Sequence, residues 1–230
     1  MAQNLEYLNR FSLMLNEEQL SKILRAKIIV FGVGGVGSAL CHFLVRSGVQ
    51  NLDVVDFDTI DVTNVNRQLV ANLNNVGRLK VEELKAQLQE INPYLNINIF
   101  PIKYSQQTAE QIDLNNYDII VDCIDDIKAK QHLILQAKEL NKYILCAMGA
   151  GNRFEQIPQF EIADIKKTSY DAIAKILRKF CAVQGINKLE VCYTKQKAIK
   201  FDCKTIGSVV YYPVSMATIM CARIIQKIIN

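Results

Sequence analysis

The stretch that decides the fold is Phe31-Gly32-Val33-Gly34-Gly35-Val36-Gly37. It follows an apolar run, residues 28–31, and precedes a helix-like segment, residues 38–46. Glycines let the backbone turn tightly and approach a phosphate without a clashing Cβ. A helix N-terminus directs its N–H groups and the positive end of its dipole toward the same place. The stretch therefore predicts a strand, a glycine turn and a helix that bind a nucleotide, with Gly32, Gly34, Gly35 and Gly37 as candidate contacts.

A second apolar run, residues 52–55, ends in Asp56, about twenty residues beyond the glycines. A carboxylate at that place accepts hydrogen bonds from the ribose hydroxyls of a bound nucleotide. A glycine loop alone is compatible with any tight strand-to-helix turn. Both strands and the acid together favour nucleotide binding.

Polar side chains that suit phosphate follow in the sequence. They are Asp58, Asn64, Arg67, Gln68 and Lys80. Arg67 can make a bidentate phosphate contact and Lys80 supplies a point charge. An enzyme that cleaves ATP needs such cations because charge develops on phosphate oxygens, whereas a hydride-transfer enzyme needs a nicotinamide pocket instead. The pattern favours ATP over NAD, although either cation alone is compatible with a solvated polar surface.

Together these motifs, with Val121-Asp122-Cys123-Ile124-Asp125-Asp126 further on, resemble the adenylating domain of ubiquitin-activating-type enzymes. That superfamily includes the activators of sulfur carriers for thiamine and molybdopterin synthesis. The resemblance implies that Asp56 binds ribose and that Asp58 belongs to the nucleotide site. It implies further that ATP phosphates are held by Asn64, Arg67, Gln68 and Lys80. Arg67, Lys80 and Asp125 are the catalytic candidates, with Asp125 beside Mg²⁺, and Arg10 would reach the ATP of a partner subunit.

The second half of the chain resembles one branch of that superfamily, the tRNA threonylcarbamoyladenosine dehydratases. The matching segments are residues 149–154, 160–165, 167–169, 175–178, 188–193 and 207–213. The similarity runs from about Arg10 to the C-terminal helix. The chain departs from this branch in two respects. Its C-terminal region looks trimmed, and Asp126 stands after Asp125 where many relatives carry a different residue.

The branch implies ATP-dependent cyclisation of N6-threonylcarbamoyladenosine next to the tRNA anticodon, through carboxylate activation and intramolecular ring closure. Because ring closure is intramolecular, a protein thioester is dispensable. The branch also implies Mg²⁺, a monovalent cation (K⁺ or Na⁺) and a homodimer, and it leaves a sulfur-relay protein open as a further partner. Three alternatives stay open: an adenylyltransferase for a ubiquitin-like sulfur carrier, a nucleotide-binding regulatory module without turnover, and an NAD-dependent oxidoreductase.

Composition agrees with a cytoplasmic enzyme. The chain has 230 residues, and its seven cysteines are scattered singly without a C-x-x-C pair. The scatter excludes a disulfide framework and counts against the structural zinc of many sulfur-carrier activators. No signal peptide is evident at the start. The uncharged stretch at residues 205–222 predicts a buried strand and a helix in preference to a membrane span.

Alternating patterns predict a Rossmann-like α/β fold with a mostly parallel sheet, helices on both faces and a smaller C-terminal α+β part. Strands are expected at residues 27–32, 52–56, 97–101, 119–122, 144–147, 189–194 and 209–212. Helices are expected at residues 36–47, 80–91, 108–114, 129–141, 170–183 and 214–229. Residues 1–150 are expected to form the ATP-binding region, and residues 151–230 the substrate-facing and tRNA-facing part of the same domain.

Charge is uneven along the chain. Residues 166–204 contain ten basic and three acidic side chains, against a net charge of only +4 for the whole chain. A basic face suits a polyanion such as tRNA, and Tyr170 or Tyr193 could stack on a base. A solvated lysine-rich surface is the alternative.

Overall fold

The computed structural model describes residues 5–202 and 205–230, so that Cys203 and Lys204 lie outside the described residues. Its centre is a seven-stranded sheet of order β3-β2-β1-β4-β5-β7-β6. The strands are β1 (Lys27–Phe31), β2 (Asn51–Val55), β3 (Ile99–Phe100), β4 (Ile119–Asp122), β5 (Tyr143–Ala147), β6 (Glu161–Asp164) and β7 (Glu190–Tyr193). All neighbouring strands are parallel except β6, which runs antiparallel to β7. The predicted α/β class with a mostly parallel sheet is confirmed.

Helices cover both faces of the sheet. They are α1 (Asn9–Ser12), α2 (Glu17–Arg25), α3 (Gly35–Arg46), α4 (Lys80–Ile91), α5 (Ile127–Glu139), α6 (Ala172–Val183) and α7 (Tyr211–Ile229). Strand β1 alternates its side chains between two cores: Ile28 and Val30 face α3, α4 and α7, whereas Ile29 and Phe31 face α5 and α6. This burial on both faces explains why the strands read as continuous apolar runs.

Local chemistry sets several helix boundaries. Asn16 and Gln19 form a capping box at the start of α2. Asp126 caps α5 by accepting hydrogen bonds from the backbone N–H groups of Lys128 and Ala129. Asp171 caps α6 in the same way, through Ala174. The Asp126 cap lies just after the carboxyl end of β4, where the chain turns into the crossover helix that leads to β5.

Two expected elements are wrong. Residues 108–114 form no α-helix but two short 3₁₀ turns, Ala109–Gln111 and Leu114–Asn116. The Thr108 hydroxyl donates to Lys103 O at 2.8 Å and accepts from Ser105 N at 2.9 Å, so local bonds replace the helical ones. Residues 209–212 form no strand, because α7 begins at Tyr211 and accepts Pro213 in its first turn.

Strand β6 and helices α1 and α2 were not anticipated from the sequence. Strand β6 places the chain after residue 151 on the same sheet as the first half, as its edge strand beside β7. Among residues 5–202 and 205–230, no helix combines the length and the apolar composition that a membrane span requires.

Candidate active site

A cavity of about 530 Å³ opens at the carboxyl ends of β1, β2 and β4. The strand order reverses between β1 and β4, since the chain continues from β1 to β2 on one side and returns to β4 on the other. Ligands of open parallel sheets bind at such switch points. Of the candidate residues, the cavity is lined by Gly32, Gly34, Gly35, Asp56, Asp58, Asn64, Arg67, Gln68, Lys80 and Asp125.

The glycines have different tasks. Gly32 has φ +92°, and a Cβ there would lie 2.6 Å from Cys123 O at the end of β4. A Cβ on Gly37 would lie 1.8 Å from Gly32 O, so this glycine serves the close packing of α3 on the loop and does not line the cavity. A Cβ on Gly34 would meet no described atom within 4 Å. Gly34 therefore leaves open space above the N-terminus of α3, where a phosphate fits.

Asp56 is fixed by the backbone beside the glycine loop. Its Oδ2 accepts from Val33 N at 2.6 Å and its Oδ1 accepts from Asp58 N at 2.8 Å. Burial raises the pKa of Asp56 and outweighs the opposing effect of these two hydrogen bonds. The carboxylate keeps lone pairs for the ribose hydroxyls proposed above.

Lys80 is the first residue of α4 and is only 5 % exposed. Its ammonium donates to Asp58 Oδ2 at 2.8 Å, and its backbone N–H donates to Asp58 O at 3.0 Å. Asp58 thus holds Lys80 at the cavity wall. A buried cation at this position attracts a phosphate strongly because solvent screening is weak.

Three further candidates come from the turn around Val62–Asn64. Arg67 donates through Nη1 to Thr63 O and, at 3.0 Å, to Asn66 Oδ1. The Asn64 side-chain oxygen Oδ1 accepts from Asp61 N at 3.1 Å and completes a capping box, so part of the side chain's hydrogen-bonding capacity is used locally. Gln68 is 7 % exposed, and its Oε1 finds no donor among the described residues. A buried carbonyl without a donor costs free energy, and a ligand hydroxyl would satisfy it.

Asp125 is exposed at the cavity and makes no hydrogen bond or ion pair with any described residue. A carboxylate of this kind, next to nucleotide phosphates, suits Mg²⁺, which usually takes one or two carboxylates plus phosphate oxygens. No group of three or more His, Cys, Asp or Glu side chains in the described part of the chain could hold a metal alone. Arg10, on α1, is exposed and does not line the cavity of its own subunit.

Sequence reasoning missed a buried ion pair beneath the site. Lys130 and Asp122 are both fully buried, with Nζ and Oδ2 separated by 2.7 Å. Lys130 also donates to Ala147 O at 3.0 Å, and Asp122 accepts from Ile124 N at 3.0 Å. Burial alone would lower the pKa of Lys130, but Asp122 outweighs it and raises the pKa. The pair joins the ends of β4 and β5 to α5. Its two residues lie before and after the loop that carries Asp125.

The opposite wall of the cavity is residues 149–151. Arg153, 6 % exposed, donates to Gly149 O at 2.8 Å and to Gly151 O at 3.1 Å. Asp171 accepts from Gly149 N at 2.9 Å and lies 3.8 Å from an Arg153 nitrogen. The signal available in the sequence was the Gly-x-Gly that follows a strand. The Arg153–Asp171 partnership is not readable from spacing.

The six described cysteines are free thiols. Of these six, Cys123 alone lines the cavity, and burial raises its pKa to about 12, with a further contribution from Asp122. A thiol with so high a pKa carries little thiolate at neutral pH and is a poor nucleophile.

A family model described as ThiF family matches residues 7–230.

The chain belongs to the ThiF family.

Among curated proteins, this ThiF-family chain is 37 % identical over 196 residues to the tRNA threonylcarbamoyladenosine dehydratase of Bacillus subtilis, covering 85 % of this chain and 77 % of that protein. It is 36 % identical to the Haemophilus influenzae dehydratase, covering 70 % of this chain and 63 % of that protein. Among solved structures, E. coli TcdA in complex with ATP superimposes with a TM-score of 0.90 at 24 % identity, covering 96 % of this chain and 93 % of that one. The resemblance to the dehydratase branch and the Rossmann-like fold are confirmed.

Proposed function

We propose that this ThiF-family protein is an ATP-dependent tRNA-modifying dehydratase that cyclises N6-threonylcarbamoyladenosine next to the anticodon. The observation that carries the proposal is the 37 % identity to a curated dehydratase across 85 % of the chain. The cavity supports it, because it combines an open phosphate position at Gly34 with a buried cation at Lys80. An adenylyltransferase for a sulfur carrier is the weaker candidate, since the adenylyltransferase and sulfurtransferase UBA4 of Candida glabrata is 36 % identical over only 56 % of this chain and 30 % of that protein.

The chemistry has two steps. A carboxylate oxygen of the threonyl group attacks a phosphorus atom of ATP, and the P–O bond to the remaining phosphates or nucleotide breaks. The resulting acyl phosphate ester places a good leaving group on the carbonyl carbon. The carbamoyl group then attacks that carbon, loses a proton and expels the phosphate. The oxygen of the eliminated water therefore leaves bonded to phosphorus. Ring closure is favoured because both reacting groups belong to the same side chain.

Residue roles follow from position in the cavity. Lys80 and Arg67 stabilise charge on the phosphate oxygens, and Asp56 with Gln68 orients the ribose or phosphates. Asp125 would hold Mg²⁺, which supplies charge neutralisation at the phosphates when bound. A monovalent cation (K⁺ or Na⁺), suggested by the resemblance, would show as a dependence of turnover on the added salt cation.

The proposal also covers the roles of the two halves of the chain, the partners and the cellular location. Residues 1–150 bind ATP and residues 151–230 face the substrate, with tRNA as the macromolecular partner. The protein acts in the cytoplasm as a homodimer in which Arg10 enters the neighbouring site. A sulfur-relay protein, if one assists, would act on this dimer.

The experiment is incubation with ATP and RNA that carries threonylcarbamoyladenosine, followed by mass analysis of the released nucleosides. A nucleoside lighter by one water, absent without ATP, is expected. Measuring ADP and pyrophosphate in the same mixture identifies the phosphate attacked. Pyrophosphate release that requires a carrier protein, with RNA unchanged, would favour the adenylyltransferase. Tight ATP binding without any turnover would favour the regulatory module.

A further inference from the structure

A second cavity, of about 650 Å³, lies beside the first and is built from aromatic and basic side chains. It is lined by Asn152, Tyr170, Lys197, Lys200 and Phe201, with Ala198, Ile199 and Asp202 completing it. Tyr170 is 62 % exposed and Phe201 is 53 % exposed. Exposed aromatic rings next to lysines match the chemistry of single-stranded nucleic acid sites.

The Tyr170 ring is held in place. Its backbone adopts φ +54°, which a non-glycine residue rarely does. The next residue, Asp171, is 5 % exposed and fixed as the cap of α6. The Lys197 ammonium lies 5.0 Å from the centre of the Tyr170 ring. The ammonium covers one face of the ring, and because Tyr170 is largely exposed, a base would stack on the other face.

The two cavities meet at consecutive residues of the chain. Asn152 lines the second cavity, whereas its neighbour Gly151 lines the first. Asn152 N donates to Gly207 O at 2.7 Å, and Asn152 Oδ1 accepts from Gly207 N at 2.6 Å. Asn152 O accepts from Ile199 N at 2.6 Å. A polymer whose reacting unit enters the ATP cavity would therefore pass over Asn152 and lay its neighbouring unit on Tyr170.

The charge around this cavity favours a polyanion. Of the three acidic residues between 166 and 202, Asp171 is buried, Glu190 is paired with Arg223 at 2.7 Å, and Asp202 is exposed at the cavity itself, where Lys197 and Lys200 outnumber it. Neither Lys197 nor Lys200 makes a salt bridge with a described carboxylate. Tyr193, the other stacking candidate from the sequence, is fully buried and donates to Glu161, so of these two tyrosines Tyr170 is the one available for stacking.

We propose that the second cavity is a nucleotide subsite, in which a base of the anticodon loop next to the modified adenosine stacks on Tyr170 while Lys197 and Lys200 contact its phosphate. The inference rests on the proposed function for the identity of the RNA. Stacking is tolerant of sequence because every base has a π-face, so the subsite would secure the loop without reading it.

The chain contains no tryptophan, which makes a direct test available. A Tyr170→Trp variant carries a single indole at the subsite. We expect an unmodified anticodon stem-loop RNA to quench its fluorescence saturably, because a stacked base quenches indole, and an RNA duplex without a loop to have little effect. Tyr94→Trp is the matched control, since Tyr94 is 51 % exposed and follows α4 on the other edge of the sheet. Equal quenching by the duplex, no quenching by the loop, or quenching by a carrier protein only would overturn the subsite.

Activity assays separate this inference from the proposed function. Tyr170→Ala should weaken binding of the stem-loop by roughly fivefold to a hundredfold, the range measured for loss of one stacked base, whereas Tyr170→Phe should bind like the wild type. Unchanged affinity and turnover in Tyr170→Ala would overturn the subsite and leave the dehydratase function standing. Quenching by the loop without any turnover of modified RNA would support the subsite and overturn the dehydratase function.

Discussion

At the scale of single residues, Gly34 and Gly37 lie in one loop under opposite constraints. A Cβ on Gly34 meets open space, and its φ of −87° suits any residue. A Cβ on Gly37 collides with Gly32 O at 1.8 Å. We therefore expect the first glycine to serve a ligand, whereas the second is needed by the fold.

The first prediction follows from this contrast. Gly34→Ala should unfold at the wild-type urea midpoint but lose most of its ATP affinity, because the added methyl group occupies phosphate space. Gly37→Ala should lose about 1–3 kcal/mol of folding free energy or more, since backbone must move. Urea denaturation and calorimetric ATP titration measure both. Wild-type ATP binding in a folded Gly34→Ala protein would contradict the position of the phosphate.

The second prediction concerns Lys80. Lys80→Ala should reduce ATP-dependent turnover by the equivalent of about 1.5–3 kcal/mol or more, because a buried charge-assisted phosphate contact is lost. The fold should survive, since Asp58, 46 % exposed, can be hydrated. Arg67→Ala should reduce turnover by a similar factor and should also leave the fold intact.

Arg78→Ala is the control for Lys80, because Arg78 pairs with Glu83 on the surface, outside the cavity. Its steady-state rate should match the wild type. If Lys80→Ala kept the wild-type rate, the assignment of Lys80 to the phosphate site would be wrong.

Much of the site could be predicted at this scale because its residues follow directly on strand ends. Asp56 and Asp125 lie at the carboxyl ends of β2 and β4, where ligands bind. The Lys130–Asp122 pair could not be predicted, because a lysine in a mixed helix reads as exposed until the packing of α5 is known. The Arg153–Asp171 contact likewise depends on how distant segments meet.

At the scale of elements, Glu190 on β7 joins three parts of the fold. It accepts from Arg223 of α7 through two nitrogens, at 2.7 and 2.9 Å, and from the Tyr143 hydroxyl of β5 at 2.8 Å. Burial raises the pKa of Glu190, but these hydrogen bonds outweigh burial and lower it below its usual value. A lowered carboxylate pKa adds stability that is present above the unfolded-state pKa and is lost as pH falls through the folded-state pKa.

The third prediction is that Glu190→Gln lowers the free energy of unfolding by about 1.5–3 kcal/mol at neutral pH, as expected for hydrogen bonds to a charged group. The difference from the wild type should shrink at acid pH, as pH falls from the unfolded-state glutamate pKa of about 4.3 through the lower folded-state pKa. Urea denaturation at both pH values measures this. Glu18→Gln, which breaks an exposed pair with Lys22, should have no measurable effect. A pH-independent difference would contradict the role of the Glu190 charge.

The elements that the sequence predicted well are those with long apolar patterns, such as β1, β4 and α4. The failures lie where the pattern is short or ambiguous. Residues 209–212 have the β-branched and aromatic composition of a strand, yet α7 begins at Tyr211, and of these four side chains Tyr212 alone is buried. Strand β6 has no apolar run, because it is an edge strand whose side chains are only partly buried.

At the scale of the whole molecule, Arg10 is exposed on α1 and outside its own cavity. The fourth prediction is that Arg10→Ala lowers turnover, and that mixing it with Lys80→Ala restores part of the activity. In a mixed dimer, one site keeps both cations. Sedimentation establishes whether the protein is a dimer. A monomer at assay concentration, or a mixture no more active than its components, would contradict a shared site.

The fifth prediction concerns the salt dependence of RNA binding. Lys175 and Lys179 are exposed one turn apart on α6, whereas Arg178 donates to Thr168 and is partly committed to the fold. Each phosphate contact should steepen the fall of affinity by roughly 0.7–0.9 log units per decade of salt. A Lys175→Ala/Lys179→Ala double variant should therefore bind tRNA more weakly and with a flatter slope.

Filter binding over a salt series measures that slope. Lys22→Ala/Lys85→Ala, on α2 and α4, is a control of equal charge change on the other face of the sheet. An identical slope in the α6 variant and the wild type would mean that tRNA docks elsewhere.

Helix α7 packs on α3, and Pro213 near the start of α7 lies against Gly35 of the glycine loop. A ribosome delivers residues 27–46 long before residues 211–229, and folding during synthesis proceeds from the N-terminal side. While the chain is being made, α3 therefore has an uncovered apolar face, and the loop lacks one of its walls. The motif that is translated early becomes able to hold a nucleotide only late. A nascent chain stalled before residue 211 should accordingly recruit chaperones and fail to retain ATP.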